Sequence, residues 1–365
     1  MERKKAVEPP MLRGFFVDGA WGPRRLFGSN DINEIDMEKD TLMIHNDGLR
    51  ATTLVKWVFI SLLIAGGSAN AGRTARELKV EEGKRWINGT ELYYKIVGTG
   101  TPIVILHGGP GLDHTYLLPQ MLKLAKHYRL IFFDQRACGR STSAVDTNSI
   151  TMNMFADDVE GIRQAFRLGK MNLMGHSWGG LVAMLYAVKY PTNLNSLILV
   201  NTTPASSELR NASIMVMAQR GTREDSLARV ALGKTDGFRT RQPKVMEQFF
   251  RVLFRGSFFN RTYADSLTLS FDTSYATKSR LMQQLYKDKN AITYDLHPRL
   301  GRIECPTLIV GSTYDTSVPE SNEQIHKSIK GSTLVVLDSC GHFPYIEAPK
   351  KFFGEVERFL AKADR

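Results

Sequence analysis

The chain is poor in cysteine, with three thiols (Cys138, Cys305 and Cys340) in 365 residues. They are too few and too scattered for a disulfide framework, and no His/Cys/Asp/Glu set has metal-ligand spacing, so no metal or other cofactor is expected. Their odd number leaves at least one thiol free, and each reads as a small buried hydrophobe. Long apolar runs are missing as well. Residues 57–67 (WVFISLLIAGG) make a run of eleven, whereas a membrane-spanning helix needs about 20. There is no internal repeat, no low-complexity tract and no basic run with interleaved aromatics. The net charge of +11 is therefore read as a solvated basic surface, with no nucleic-acid partner expected.

The short apolar run has a context of its own. Arg50 and Lys56 precede it and Ala69-Asn70-Ala71 follows, the layout of a secretory signal peptide with a positive n-region, a short h-region and an A-x-A site. Met43 stands where such a peptide begins, so residues 43–71 read as the signal and 1–42 as an irregular extension ahead of it. Cleavage after Ala71 implies a periplasmic or secreted protein; an uncleaved segment would instead anchor the chain to a membrane. Residues 1–71 carry nine basic and nine acidic side chains, so the remaining chain keeps the whole positive charge.

From residue 72 onward strand-like and helix-like segments alternate. The runs at 91–97, 103–106, 128–133, 171–174, 196–200, 307–310 and 333–337 are short, continuous and apolar, as strands buried on both faces require. Between them, 117–127, 152–168, 181–190, 320–329 and 349–363 show apolar residues at three- and four-residue spacing. This alternation predicts an α/β fold with a mostly parallel, doubly wound sheet. Residues 204–302 break the pattern with helical stretches at 244–254 and 276–287. The expected division is thus a core of 72–203 and 303–365 with a helical cap at 204–302, set over the sheet edge where ligands bind.

Gly175-His176-Ser177-Trp178-Gly179 fits G-x-S-x-G, with a strand-like run before it and a helix after it. A serine on so sharp a turn projects its hydroxyl from the sheet, and its neighbours must be small for strand and helix to pass closely. In this arrangement the chain order is Ser, Asp/Glu, His, each at the tip of a later strand. Asp315 follows the strand TLIV and His342 follows TLVVL, so Ser177, Asp315 and His342 are the candidate catalytic triad. Asp338 is the rival acid, too near His342 in sequence to arrive from a neighbouring strand. His176 should point away from the hydroxyl, and His297 and His326 lack a comparable context. The tetrahedral oxyanion needs two backbone donors: Trp178 supplies one and Gly109, in the HGGPG loop after the strand IVIL, the other. Asp134 is expected to pair with the guanidinium fork of Arg140.

HGGPG at 107–111, DQRACGRS at 134–141, GHSWGG at 175–180 and GHFPYIEAP at 341–349 together resemble the proline iminopeptidases and their relatives over about residues 78–360. The resemblance implies an α/β-hydrolase fold with a helical cap, no metal, and release of an N-terminal residue, often proline, from small peptides. Ala137 stands where the family usually has glycine. The resemblance also implies carboxylates that hold the substrate's free amino group, and Thr316 occupies one position where some members carry Glu. Because a buried ammonium needs a partner, Glu208, Glu224 and Glu247 of the cap are the candidates. The competing readings are a carboxylesterase or lactonase using the same machinery, and a ligand-binding relative without turnover. Epoxide hydrolases and dehalogenases use a carboxylate where Ser177 stands.

Overall fold

The computed structural model describes residues 78–364. The expected signal segment and the extension before it lie outside the described residues. Among the described residues no helix is long and apolar enough to cross a membrane.

Eight strands form one sheet: β1 (Val80–Ile87), β2 (Thr90–Val97), β3 (Thr101–Leu106), β4 (Tyr128–Phe133), β5 (Met171–His176), β6 (Leu194–Val200), β7 (Thr307–Ser312) and β8 (Thr333–Leu337). Their order is β1-β2-β4-β3-β5-β6-β7-β8. β1 and β2 run antiparallel to their neighbours, and the six strands from β4 to β8 are parallel. Helices of eight residues or more are α1 (Met152–Ala165), α2 (Trp178–Lys189), α3 (Ser207–Gln219), α4 (Arg223–Gly233), α5 (Pro243–Phe254), α6 (Tyr275–Met282), α7 (Pro319–Ser328) and α8 (Pro349–Ala363). Successive β3 side chains feed opposite cores. Val104 and Leu106 join one with α1 and α2, while Ile103 and Ile105 join another with α8. Burial on both faces is why these strands are continuously apolar.

Two strands depart from the sequence reading. β1 (VEEGKRWI) is charged and exposed along almost its whole length, so it carries no apolar signal. It exists because Asn88-Gly89, both at positive φ, turns the chain back onto β2 in a two-residue hairpin. β8 was expected to be buried on both faces; it is an edge strand with Val336 53% exposed.

The segment between β6 and β7 is helical, with α3 to α6 and shorter turns. It rests on loops that follow strand ends. Ser213 accepts a hydrogen bond from the Val318 amide at 3.1 Å, and Arg220 donates to the Tyr314 carbonyl. The Lys278 ammonium donates to the Gly139 carbonyl. Phe254 and Phe258 pack their rings on Phe343, at 5.6 and 4.7 Å. The insert therefore covers the C-terminal edge of the sheet, where open α/β sheets bind ligands.

Candidate active site

β5 ends at His176 and α2 begins at Trp178, so Ser177 alone makes the corner. Its backbone sits at φ 55°, ψ −123°, a region that a non-glycine residue occupies only when its surroundings force it. Three bonds do so here. The Ser177 amide donates to Val200 O at 3.1 Å, and the Ser177 carbonyl accepts from Gly180 at 2.9 Å and Thr203 at 3.0 Å. The neighbouring glycines are sterically required. A Cβ on Gly175 would stand 2.3 Å from Gly179 O, one on Gly179 2.4 Å from Leu106 O, and one on Gly180 2.1 Å from Thr202 Oγ1. The motif's small residues thus let α2 cross the tips of β3, β5 and β6.

Asp315 follows β7 and His342 follows β8, both buried, at 3% and 9% exposure. His342 Nδ1 and Asp315 Oδ1 are 2.6 Å apart. An Nδ1–H donated to the carboxylate leaves Nε2 free to accept a proton. Thr316 Oγ1 lies 3.5 Å from both atoms of that bond. His176, the residue before Ser177, packs its ring 4.8 Å from that of His342. No hydrogen bond joins the Ser177 hydroxyl to the imidazole in this structure, whereas the His342–Asp315 bond is formed.

The loop carrying His342 is tied at several points. The His342 amide donates to Ser257 O of the insert at 2.7 Å, and Asn201 Nδ2 donates to Gly341 O at 3.2 Å. Glu347 accepts from the Gly341 amide at 2.7 Å and the Asn260 amide at 2.9 Å; burial nevertheless raises its pKa. Glu347 lies within GHFPYIEAP, and the sequence reading gave it no role.

The HGGPG loop leans directly on the corner, since a Cβ on Gly108 would lie 3.0 Å from Ser177 Cβ. Gly109 has φ +132°, and Trp178 is the first residue of α2, where amides lack an intrahelical acceptor. His107 and Gln135 shape this wall. The Gln135 amide donates to His107 Nε2 at 3.0 Å, and His107 Nδ1–H donates to Gly108 O at 2.8 Å. Gln135 also donates through Nε2 to His107 O at 2.7 Å and accepts from the Trp178 indole at 3.0 Å. Both His107 nitrogens are thereby committed in the neutral ring, and burial pushes its pKa down to about 4.

The expected Asp134–Arg140 fork does not form. Asp134 is fully buried and accepts from the His114 amide and ring at 3.0 and 2.7 Å and from the Arg140 backbone amide at 2.8 Å. The Arg140 guanidinium reaches outward, over the Tyr93 ring at 4.0 Å and onto the Tyr93 hydroxyl at 2.7 Å. The buried guanidinium of the DQRACGRS stretch is Arg136 instead, bidentate to Asp158 at 2.7 and 2.6 Å. Ala137 takes φ 54°, a left-handed conformation that glycine would adopt without a Cβ penalty.

The cap carboxylates are not gathered at Ser177 by any bond. Glu208 and Glu224 are exposed, and Glu247 is bonded to Arg251 at 2.9 Å. The buried carboxylate of the insert is Asp225, which Arg261 and Arg255 flank and which closes the capping box of α4.

A family model described as the alpha/beta hydrolase fold matches residues 101–349. The chain belongs to the α/β-hydrolase fold family. Within it, the chain is 29% identical over 311 residues to the proline iminopeptidase of Saccharolobus solfataricus, covering 78% of this chain and 93% of that one. The crystal structure of the Mycobacterium smegmatis proline iminopeptidase is similar in fold, with a TM-score of 0.57 and 21% identity over 78% of this chain and 99% of that one. A thermophilic esterase from Thermogutta terrifontis is 26% identical, with a TM-score of 0.53 over 78% and 99% of the two chains. The α/β-hydrolase assignment and the proline iminopeptidase relatives support a hydrolase, of a family that acts on small substrates.

Proposed function

We propose that the protein is a serine hydrolase working through an acyl-enzyme, and that it releases N-terminal residues from short peptides in the manner of a proline iminopeptidase. The observation that carries the first part is the strained corner of Ser177 at the tip of β5 with the 2.6 Å His342–Asp315 pair beside it. In the reaction, His342 Nε2 takes the Ser177 proton as Oγ attacks the carbonyl, and Asp315 holds the imidazole in its productive tautomer. The oxyanion is received by the Gly109 and Trp178 amides, each worth about 3 kcal/mol of barrier. His342 returns the proton to the leaving amine, then activates water against the acyl-enzyme.

The peptide substrate is supported by the resemblance to proteins named proline iminopeptidase. A second reading, hydrolysis of small esters or lactones, is favoured by the insert itself. Glu208 and Glu224 face solvent, Glu247 is engaged by Arg251, and Thr316 stands beside the His342–Asp315 bond. Purified residues 72–365 would be assayed on prolyl- and alanyl-arylamides and on short-chain aryl esters, with Ser177→Ala as control. Arylamide turnover that disappears in Ser177→Ala is the expected result. Ester turnover alone moves the substrate to the second reading, and undiminished activity in Ser177→Ala removes the triad. Failure of the wild-type protein to turn over either would favour a ligand-binding relative. Export rests on residues 43–71, and N-terminal sequencing of the secreted protein should begin at Gly72.

A further inference from the structure

Resting on the serine-hydrolase reading, we propose that Tyr116 and His176 are a single positioning unit, a hydrogen-bond chain that couples the oxyanion loop to the loop of the base. The Gly108 amide donates to the Tyr116 oxygen at 2.6 Å. Tyr116 and His176 Nδ1 are 2.8 Å apart, and His176 Nε2 is 2.8 Å from the His342 carbonyl. The proton positions follow from the partners. A carbonyl only accepts, so His176 Nε2 carries the proton; in the neutral ring Nδ1 is then an acceptor and takes the Tyr116 O–H. The remaining tyrosine lone pair receives the Gly108 amide. One direction of donation runs unbroken from Gly108, which precedes the oxyanion donor Gly109, to the carbonyl of the proposed base.

The chain is closed to water. Tyr116 and His176 are 2% and 3% exposed, and the His176 ring is enclosed by Tyr116, His342, Phe343 and Tyr345 at centroid distances of 4.8 to 5.6 Å. Burial, aided by His342, holds the His176 pKa well below 6.5, which keeps the ring neutral, and its two partners then select the tautomer. The hydrogen bonds of the two side chains go to the Gly108 amide, to each other and to the His342 carbonyl, and none goes to the Ser177 hydroxyl or the His342 ring. Each fixes a loop by its other end, so loosening either bond lets the oxyanion donors and the base drift together, and a buried network of this kind acts as a unit.

The test uses the full chain with Tyr116→Phe, His176→Phe, the double variant and His176→Gln, a short-chain aryl ester, and an organofluorophosphate that labels active serines. Each Phe variant should lower kcat by about ten- to a hundredfold with KM within about twofold, below the melting range of every variant. The double variant should lose no more than the worse single one. Gln, whose amide offers an acceptor oxygen and an NH2 donor, should recover activity to within about threefold of wild type. Additive losses, unchanged kcat in Tyr116→Phe, or absence of rescue by Gln would overturn the coupling. Tyr116→Phe removes one oxygen only and keeps the question open to experiment if the histidine variants fold poorly. Failure of the wild-type Ser177 to be labelled defeats the serine-hydrolase reading. Normal labelling with kcat values equal to wild type defeats this inference alone.

Discussion

Around Ser177 the polar groups hold one another in fixed directions, whereas the carboxylates Glu208, Glu224, Glu247 and Asp236 of the helical insert face water or pair locally. Gln135 alone joins the HGGPG loop, β4 and the Trp178 indole. By contrast, Glu247 is satisfied by Arg251 one helical turn away, and Asp236 by an exposed Arg239. The difference is one of scaffolding. Strand tips are placed by hydrogen-bonded ladders shared with neighbouring strands, so a residue there inherits the precision of the sheet. The insert is fixed by its contacts with loops, so its exposed side chains have latitude to change away from Ser257, whose carbonyl holds the His342 amide.

The largest effect that would break this contrast is at Asp315. Asp315→Asn should lower kcat about 10⁴-fold on any accepted substrate, because the amide no longer selects the His342 tautomer; steady-state kinetics with a folded variant would check it. A loss below about tenfold would mean that the strand tips are not the engine. Next comes Gly179→Ala, whose Cβ would lie 2.4 Å from Leu106 O and 2.7 Å from His107 O. Backbone cannot yield as a side chain would, so urea titration should show about 3 kcal/mol or more of destabilisation.

A pH dependence separates the regions further. Unfolded His107 gains its proton near pH 6.5, while the folded form, held neutral by burial, waits until about 4. Its contribution is complete above pH 6.5 and is lost as pH falls toward 4, by about 3 kcal/mol. In urea titrations at pH 7 and 4.5, the advantage of wild type over His107→Gln should shrink accordingly. The smallest effects belong to the insert. Glu208→Gln and Glu224→Gln should each leave kcat/KM for arylamides within about twofold of wild type. A tenfold rise in KM at either would place ammonium recognition there and draw the cap into the fixed machinery.

The same contrast governs what the sequence made legible. The placement of Ser177, Asp315 and His342 after strand ends was readable because each follows an apolar strand within a short turn, and turns of that kind have few solutions. β1 was not, because its side chains are charged and only the Asn88-Gly89 pair marks it. Arg136 and Arg140 are four residues apart in one basic motif, and nothing in the spelling says which goes inward. The choice is made by Asp158, which arrives from α1 with both oxygens open to a fork. The insert was legible as helical and no further. Helical periodicity reports which face is covered, and a pocket depends on how several such faces meet.

The φ of 55° at Ser177 sets activity against robustness. A glycine would rest in that conformation without strain, so Ser177→Gly should melt a few degrees above wild type while losing turnover. Directed evolution that selects for heat tolerance alone would therefore reward inactive clones at this codon. A library built on this scaffold needs an activity screen in every round.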